Sequence, residues 1–183
     1  MRLFIAIDPP EEIREQLSRL CTGVEAARWV RREQLHLTLR FLGEQPQGAL
    51  EDIKSALGCV TFAPLTLALC GVGIFPLGKP RYAKVLWAGI EPAQPLREIK
   101  ARIDQALLPA GAPPDEERTF SPHITLARFK QPPERDLNFW LQSHYSLASS
   151  KFQATAFTLY ASELGRARAS HAPVAVFGTQ PAP

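Results

Sequence analysis

The tetrapeptide His36-Leu37-Thr38-Leu39 returns later in the chain as His123-Ile124-Thr125-Leu126, and each copy is soon followed by Arg and Phe. If each copy lies on a β-strand, the period of two sends His and Thr to one face and the aliphatic pair to the other. A chain carrying this feature twice must build two similar strands, each with an apolar floor beneath one imidazole and one hydroxyl.

The flanking segments supply matching elements. Leu3 to Ile7 reads as a buried strand, and Asp8-Pro9-Pro10-Glu11 as a helix start with an N-cap carboxylate. Ile13, Leu17, Leu20 and Val24 then recur at helical spacing, predicting a helix that ends near Gly23. Arg28-Trp29-Val30 is a short extended link into a strand over Leu35 to Leu42. Leu50, Ile53 and Leu57 mark a second helix, and Phe62 to Phe75 alternates as a strand. After an exposed turn over 76–81, Ala83 to Ile90 is a buried strand, and Leu96, Ile99, Ile103 and Leu107 share one face of a third helix. Pro122 biases its predecessor toward an extended backbone and so introduces the strand His123 to Phe129. A short helix over Asp136 to His144, a strand over Phe152 to Ala161, a last strand over Val174 to Phe177 and a frayed tail from Thr179 complete the prediction.

Side by side, the halves share an order. Leu3 to Ile7 with its Pro-Glu helix start resembles Val85 to Ile90 with its Glu-Pro start, and each helix leads on to a His-x-Thr strand. Leu65-Thr66-Leu67 and Phe157-Thr158-Leu159 are a further pair of similar segments. This is the pattern of an internal duplication, and a pseudo-twofold arrangement would bring the tetrapeptides together across one cleft.

A chain of 183 residues, 45% hydrophobic, is the size of a single domain, here expected over 1–183 with two lobes. A net charge of +3 suits an anionic ligand and falls short of a protein that coats nucleic acid. Cys21, Cys59 and Cys70 form neither a metal-ligand spacing nor an even set, so a reduced, cytoplasmic setting is expected, with Cys21 and Cys70 as core thiols. The apolar run at Leu3 to Ile7 is too short for a signal segment, and no stretch approaches a membrane span.

Two imidazoles facing one cleft can act as general base and general acid in a single in-line displacement, since histidine titrates near ~6.5. His36 and His123 are the candidate pair. Thr38 and Thr125 could donate to non-bridging phosphate oxygens, and Arg128 could hold phosphate through its guanidinium. Arg40 would share the face of His36 on a regular strand, and reads equally as a phosphate contact or a solvated charge.

The residues Leu35 to Gly43, Phe120 to Arg128, Arg2 to Ile7 and Phe157 to Ser162 resemble the 2H phosphoesterases, and among them the bacterial RNA 2′,3′-cyclic phosphodiesterases of the 2′-5′ RNA ligase family. The resemblance implies an α/β (α+β) bilobal fold: two antiparallel sheets around a central cleft, with helices outside. It implies metal-independent hydrolysis of RNA 2′,3′-cyclic phosphate ends to 2′-phosphates, with no cofactor and with reverse 2′-5′ joining as a side activity. By analogy His36 gives a proton to the leaving 3′ oxygen and His123 activates water; the repeat itself does not distinguish the two.

Phe41 and Arg128 are the candidates for stacking on the terminal base. Tyr82, Lys84 and Trp87 are candidate cleft residues, with the core preferred for Trp87. His144 and His171 read as surface residues; a metal site built on them lacks further ligands. Arg166, Arg168, Ser170 and His171 form either a second phosphate grip or a solvated loop. The substrate is thus expected to be RNA with a 2′,3′-cyclic end or another small cyclic or 2′-5′-linked nucleotide, handled by a monomer. The competing reading from another class is a non-catalytic module that binds RNA ends.

Overall fold

The computed structural model describes residues 1–112, 120–131, 133, 135–164 and 169–179. Its elements are β1 (Arg2–Ile7), α1 (Glu11–Leu20), β2 (Ala27–Trp29), β3 (Leu37–Glu44), α2 (Leu50–Gly58), β4 (Leu65–Phe75), β5 (Val85–Glu91), α3 (Ala93–Leu107), β6 (His123–Phe129), α4 (Arg135–His144), β7 (Phe152–Ala154), β8 (Ala156–Leu164) and β9 (Ala169–Gly178).

The strands run in the order β7-β4-β5-β6-β3-β1-β8-β9, every neighbouring pair antiparallel, with β2 also pairing β6. The two expected sheets are the halves β7-β4-β5-β6 and β3-β1-β8-β9. Among the described residues they are joined by one register pair, Leu37 with Ile124. The result, among the described residues, is a mixed α/β fold with four α-helices on a curled antiparallel sheet.

The helices bury the stripes their spacing predicts: Ile13 and Leu17 of α1, Ile53 and Leu57 of α2, and Leu96, Ile99, Ile103 and Leu107 of α3. These meet Leu3, Ile5, Ile7, Leu37, Leu39, Ile124 and Leu126 in one continuous core. Each large aliphatic side chain taken wholly out of water contributes about 1.5–3 kcal/mol before the entropy of ordering is subtracted.

Four expectations shift. The segment read as one strand over Phe152 to Ala161 is two strands, β7 on β4 and β8 on β1, because the chain changes partner at Thr155. Asp8 does not cap α1. The N-cap is Pro10, and the Asp8 carboxylate instead accepts hydrogen bonds from Thr158 (3.0 Å), Tyr160 (2.7 Å) and Arg14 (3.2 Å). Cys70 is exposed rather than buried, since the alternation of β4 buries Leu67 and Leu69 and turns Cys70 to the opposite face; Cys21 is only half-buried. Finally, β4 and β8 do correspond as the partners of β5 and β1, but Thr158 stands opposite Ala6 as Gly73 stands opposite Trp87, so Thr66 is not its counterpart.

Candidate active site

Alternation places both tetrapeptides as their spacing predicts. Leu37, Leu39, Ile124 and Leu126 are at most 2% exposed, while His36, Thr38, His123 and Thr125 are half-buried on the opposite face. In an antiparallel ladder the numbers of opposed residues have a constant sum. Carried one residue to either side of Leu37 and Ile124, that register sets His36 toward Thr125 and Thr38 toward His123.

Both rings are held in the same way. His36 Nδ1 lies 2.7 Å from the Gln34 carbonyl, and His123 Nδ1 lies 2.7 Å from the Ser121 carbonyl, in each case two residues upstream. A carbonyl oxygen only accepts, so Nδ1 carries the hydrogen in both rings and Nε2 is the nitrogen left for chemistry. Burial lowers the pKa of His36 from 6.5 to about 4, with positive charge at His171 and Arg128 lowering it further while the Gln34 carbonyl and Asp8 oppose. The pKa of His123 is also lowered, chiefly by burial and then by Arg128, against the Ser121 carbonyl. One guanidinium thus acts on both imidazoles.

A β-bulge at the same place in each motif sets the direction of the side chains beyond the tetrapeptide. Ala6 pairs with Thr38 but Ile5 with Arg40, leaving Leu39 as the extra residue. Likewise Trp87 pairs with Thr125 but Leu86 with Ala127, leaving Leu126 extra. After the bulge the alternation inverts. Arg40, which a regular strand would leave on the face of His36, is turned to the helix side, 5% exposed, with Nε 3.3 Å from Asp104 of α3. It is neither a solvated charge nor part of the cleft. Phe41 and Arg128, one residue further on in each motif, return to the imidazole face and are exposed.

Around His36 the floor is aromatic. Phe4 is buried beneath it at 5.0 Å between ring centroids, with Tyr160 stacked on Phe4 at 5.1 Å and Phe41 at 6.1 Å. On the other side, His123 meets Phe75 edge-on at 5.0 Å and Trp87 at 6.2 Å. Trp87, expected in the core, is half-buried on the imidazole face. Glycine makes room for it: a Cβ on Gly73, its cross-strand partner, would lie 2.3 Å from the indole.

His171, read from the sequence as a surface residue or as part of a second phosphate grip, sits half-buried on β9 opposite Ser162, edge-on to His36 at 5.5 Å and to Phe4 at 4.9 Å. No local motif marks it; only the β8–β9 pairing brings it in. His144 is elsewhere, stacked on Trp140 in α4 and also half-buried. Arg28 was likewise read only as part of a link, yet it stands directly opposite Arg128 across β2 and β6, both exposed. Tyr82 and Lys84 are exposed in the turn before β5. Arg166 and Arg168 lie outside the described residues, as does the side chain of Ser170.

The family model described as LigT like phosphoesterase matches the chain twice, over residues 7–87 and 89–170. The chain belongs to the LigT-like phosphoesterase family. Relatives in that family include a protein of Thermus thermophilus named RNA 2′,3′-cyclic phosphodiesterase, 42% identical over 74% of this chain and 72% of its own. One of the same name from Methanocaldococcus jannaschii is 31% identical over 90% of this chain and 92% of its own. Among solved structures, E. coli LigT complexed with 3′-AMP superposes with a TM-score of 0.74 at 31% identity, covering 97% of both chains. The LigT-like fold therefore spans nearly the whole molecule, and each matched segment contributes strands to both halves of the sheet. Among the described residues, no helix is long and apolar enough to cross a membrane.

Proposed function

We propose that this chain hydrolyses RNA 2′,3′-cyclic phosphate ends to 2′-phosphates by acid–base catalysis between His36 and His123. The observation that carries the reading is the matched pair of imidazoles, each fixed through Nδ1 to a carbonyl two residues upstream, on strands joined at Leu37 and Ile124. The names of the relatives support the substrate. So does the nucleoside monophosphate bound to E. coli LigT.

In the step we infer, His123 Nε2 takes a proton from water as the water oxygen bonds to phosphorus. The bond from phosphorus to the 3′ oxygen breaks, and His36 Nε2 supplies that oxygen with a proton. The product carries a 2′-phosphate and a free 3′-hydroxyl, and solvent exchange restores the two protonation states. Thr38 and Thr125 donate to the non-bridging oxygens, whose charge grows during the step, and Arg128 adds a cation. Phe41 and the Arg128 guanidinium plane flank the terminal base. With the 5′-hydroxyl of a second RNA in place of water, the same step forms a 2′-5′ linkage.

Both proton transfers fall to imidazoles, so neither metal nor cofactor has a part in the step. Burial keeps His36 neutral at pH 7 in the empty cleft. The substrate's phosphate charge, arriving between the rings, raises its proton affinity and loads the acid as substrate binds. We read residues 1–183 as one domain with two pseudo-symmetric lobes, a reading that the double family match supports, and propose that it acts as a cytoplasmic monomer.

The test is turnover of an oligonucleotide ending in a 2′,3′-cyclic phosphate. His36→Ala and His123→Ala should each lose about 10²–10⁴-fold in kcat, chelator should have no effect, and the product should be the 2′-phosphate. Wild-type turnover in both variants would overturn the assignment. E. coli LigT has also been crystallised with ATP and with NADP+, which favours small nucleotides as the second substrate class; relative kcat/KM on oligonucleotide and cyclic mononucleotide decides between them.

A further inference from the structure

His171 has no part in the step as derived, yet its ring lies nearer to His36 than the phenol ring of Tyr160 does, at 5.5 Å against 6.3 Å between centroids. The two imidazoles meet at 87°, and His171 also stands at 78° to Phe4. Phe4 is only 3% exposed, so the floor under both rings is closed. His36 is thereby bounded by Phe4 below, by His171 at the side, and by the Gln34 carbonyl that fixes Nδ1.

We propose that His171 is a positioning residue for His36, keeping its imidazole in the rotamer that presents Nε2 to the substrate and titrating with it as a coupled pair. The inference rests on the assignment of His36 as the acid. Two imidazoles this close, above a low-dielectric aromatic floor, do not hold two protons as readily as one, so their protons come off in steps that belong to the pair. The groups facing His36 are Asp8 at the end of β1, Tyr160 on β8, Arg128 on β6 and His171 on β9. Asp8 is already the acceptor for Thr158, Tyr160 and Arg14. Arg128 keeps its charge throughout the working range, whereas histidine ordinarily titrates near ~6.5. Among these groups His171 is thus the second imidazole, of the side-chain type that ordinarily changes charge where a histidine acid would be used.

The consequence is an acid whose strength follows a second proton. With His171 protonated, His36 gives up its proton more readily to the leaving oxygen; with His171 neutral, His36 holds it more tightly. A contact made only for packing would act on the titration through burial alone, which a phenyl ring in the same place preserves.

Two variants separate packing from charge. His171→Phe keeps an aromatic edge against Phe4 and His36 and removes the titrating group; His171→Ala removes both. The Cε1–H resonances of His36 are followed by NMR from pH 3 to 8, and kcat is measured against pH on a 2′,3′-cyclic mononucleotide. In His171→Phe the His36 titration is expected to move upward, and the alkaline limb of the kcat profile to move with it. His171→Ala should lose about tenfold in kcat, in line with the cost of a loosened catalytic group, and His171→Phe should recover most of that loss. An unmoved His36 titration in His171→Phe, or wild-type kcat in His171→Ala, overturns the proposal. If the wild-type protein does not turn over the cyclic phosphate, the functional reading fails, and the NMR titration still decides whether the two rings are coupled.

Discussion

Leu37 of β3 and Ile124 of β6 stand directly opposite each other at the seam of the sheet, with His36 immediately before one and His123 immediately before the other. The seam therefore sets the separation of the two imidazoles. Leu37 is 2% exposed and Ile124 wholly buried. Leu37→Ala or Ile124→Ala should each cost about 2–5 kcal/mol, read as a lower urea midpoint. Turnover by the fraction still folded should fall as well, because the strands that carry the imidazoles lose their packed contact. An unchanged midpoint would mean that the halves are held together elsewhere.

The histidines also make stability depend on pH. Burial lowers the folded-state pKa of His36 from 6.5 to about 4, so the unfolded chain binds this proton first. Above pH 6.5 the ring is neutral in both states and adds no pH dependence. Stability should fall as pH drops from about 6.5 toward 4, with His123 contributing in the same direction. Thermal unfolding across this range checks the sign, and His36→Asn should flatten the curve.

Arg40 and Asp104 form an ion pair in the helix-covered face, with Lys100 also bonded to Asp104. Asp104→Ala leaves two cations without their carboxylate, one of them buried. It should cost about 3–5 kcal/mol in denaturant unfolding. Since Arg40 faces away from the cleft, kcat per folded molecule should be nearly unaffected; a selective loss of kcat would place Arg40 in the chemistry after all.

Phe41 and Arg128 occupy equivalent places after the two bulges, and both are exposed on the imidazole face. Stacking of a base on such a side chain is worth about 1–3 kcal/mol. Phe41→Ala should therefore raise KM for a cyclic-phosphate substrate by roughly 5–150-fold. Arg128→Ala should raise KM too, and in addition move the titrations of both histidines upward, because its charge lowers both. NMR titration of the two Cε1–H signals distinguishes these variants.

The amino-acid sequence by itself determined the strand and helix content, the faces of the two tetrapeptides and the pair of histidines. Those properties rest on local periodicity, which a strand or helix preserves wherever it packs. Pro122, the Leu-x-Leu alternation and the aliphatic spacing in α3 all act within a few residues. What the tertiary structure decided lies beyond that reach. An extra leucine in each motif strand, visible only from the register of the partner strand, sends Arg40 to Asp104 and returns Phe41 and Arg128 to the cleft. The absence of a Cβ at Gly73 lets Trp87 lie beside His123. The pairing of β8 with β9 brings His171 against His36 from a segment with no motif of its own. Register and cross-strand contact are properties of two distant segments together, so no window along the chain contains them.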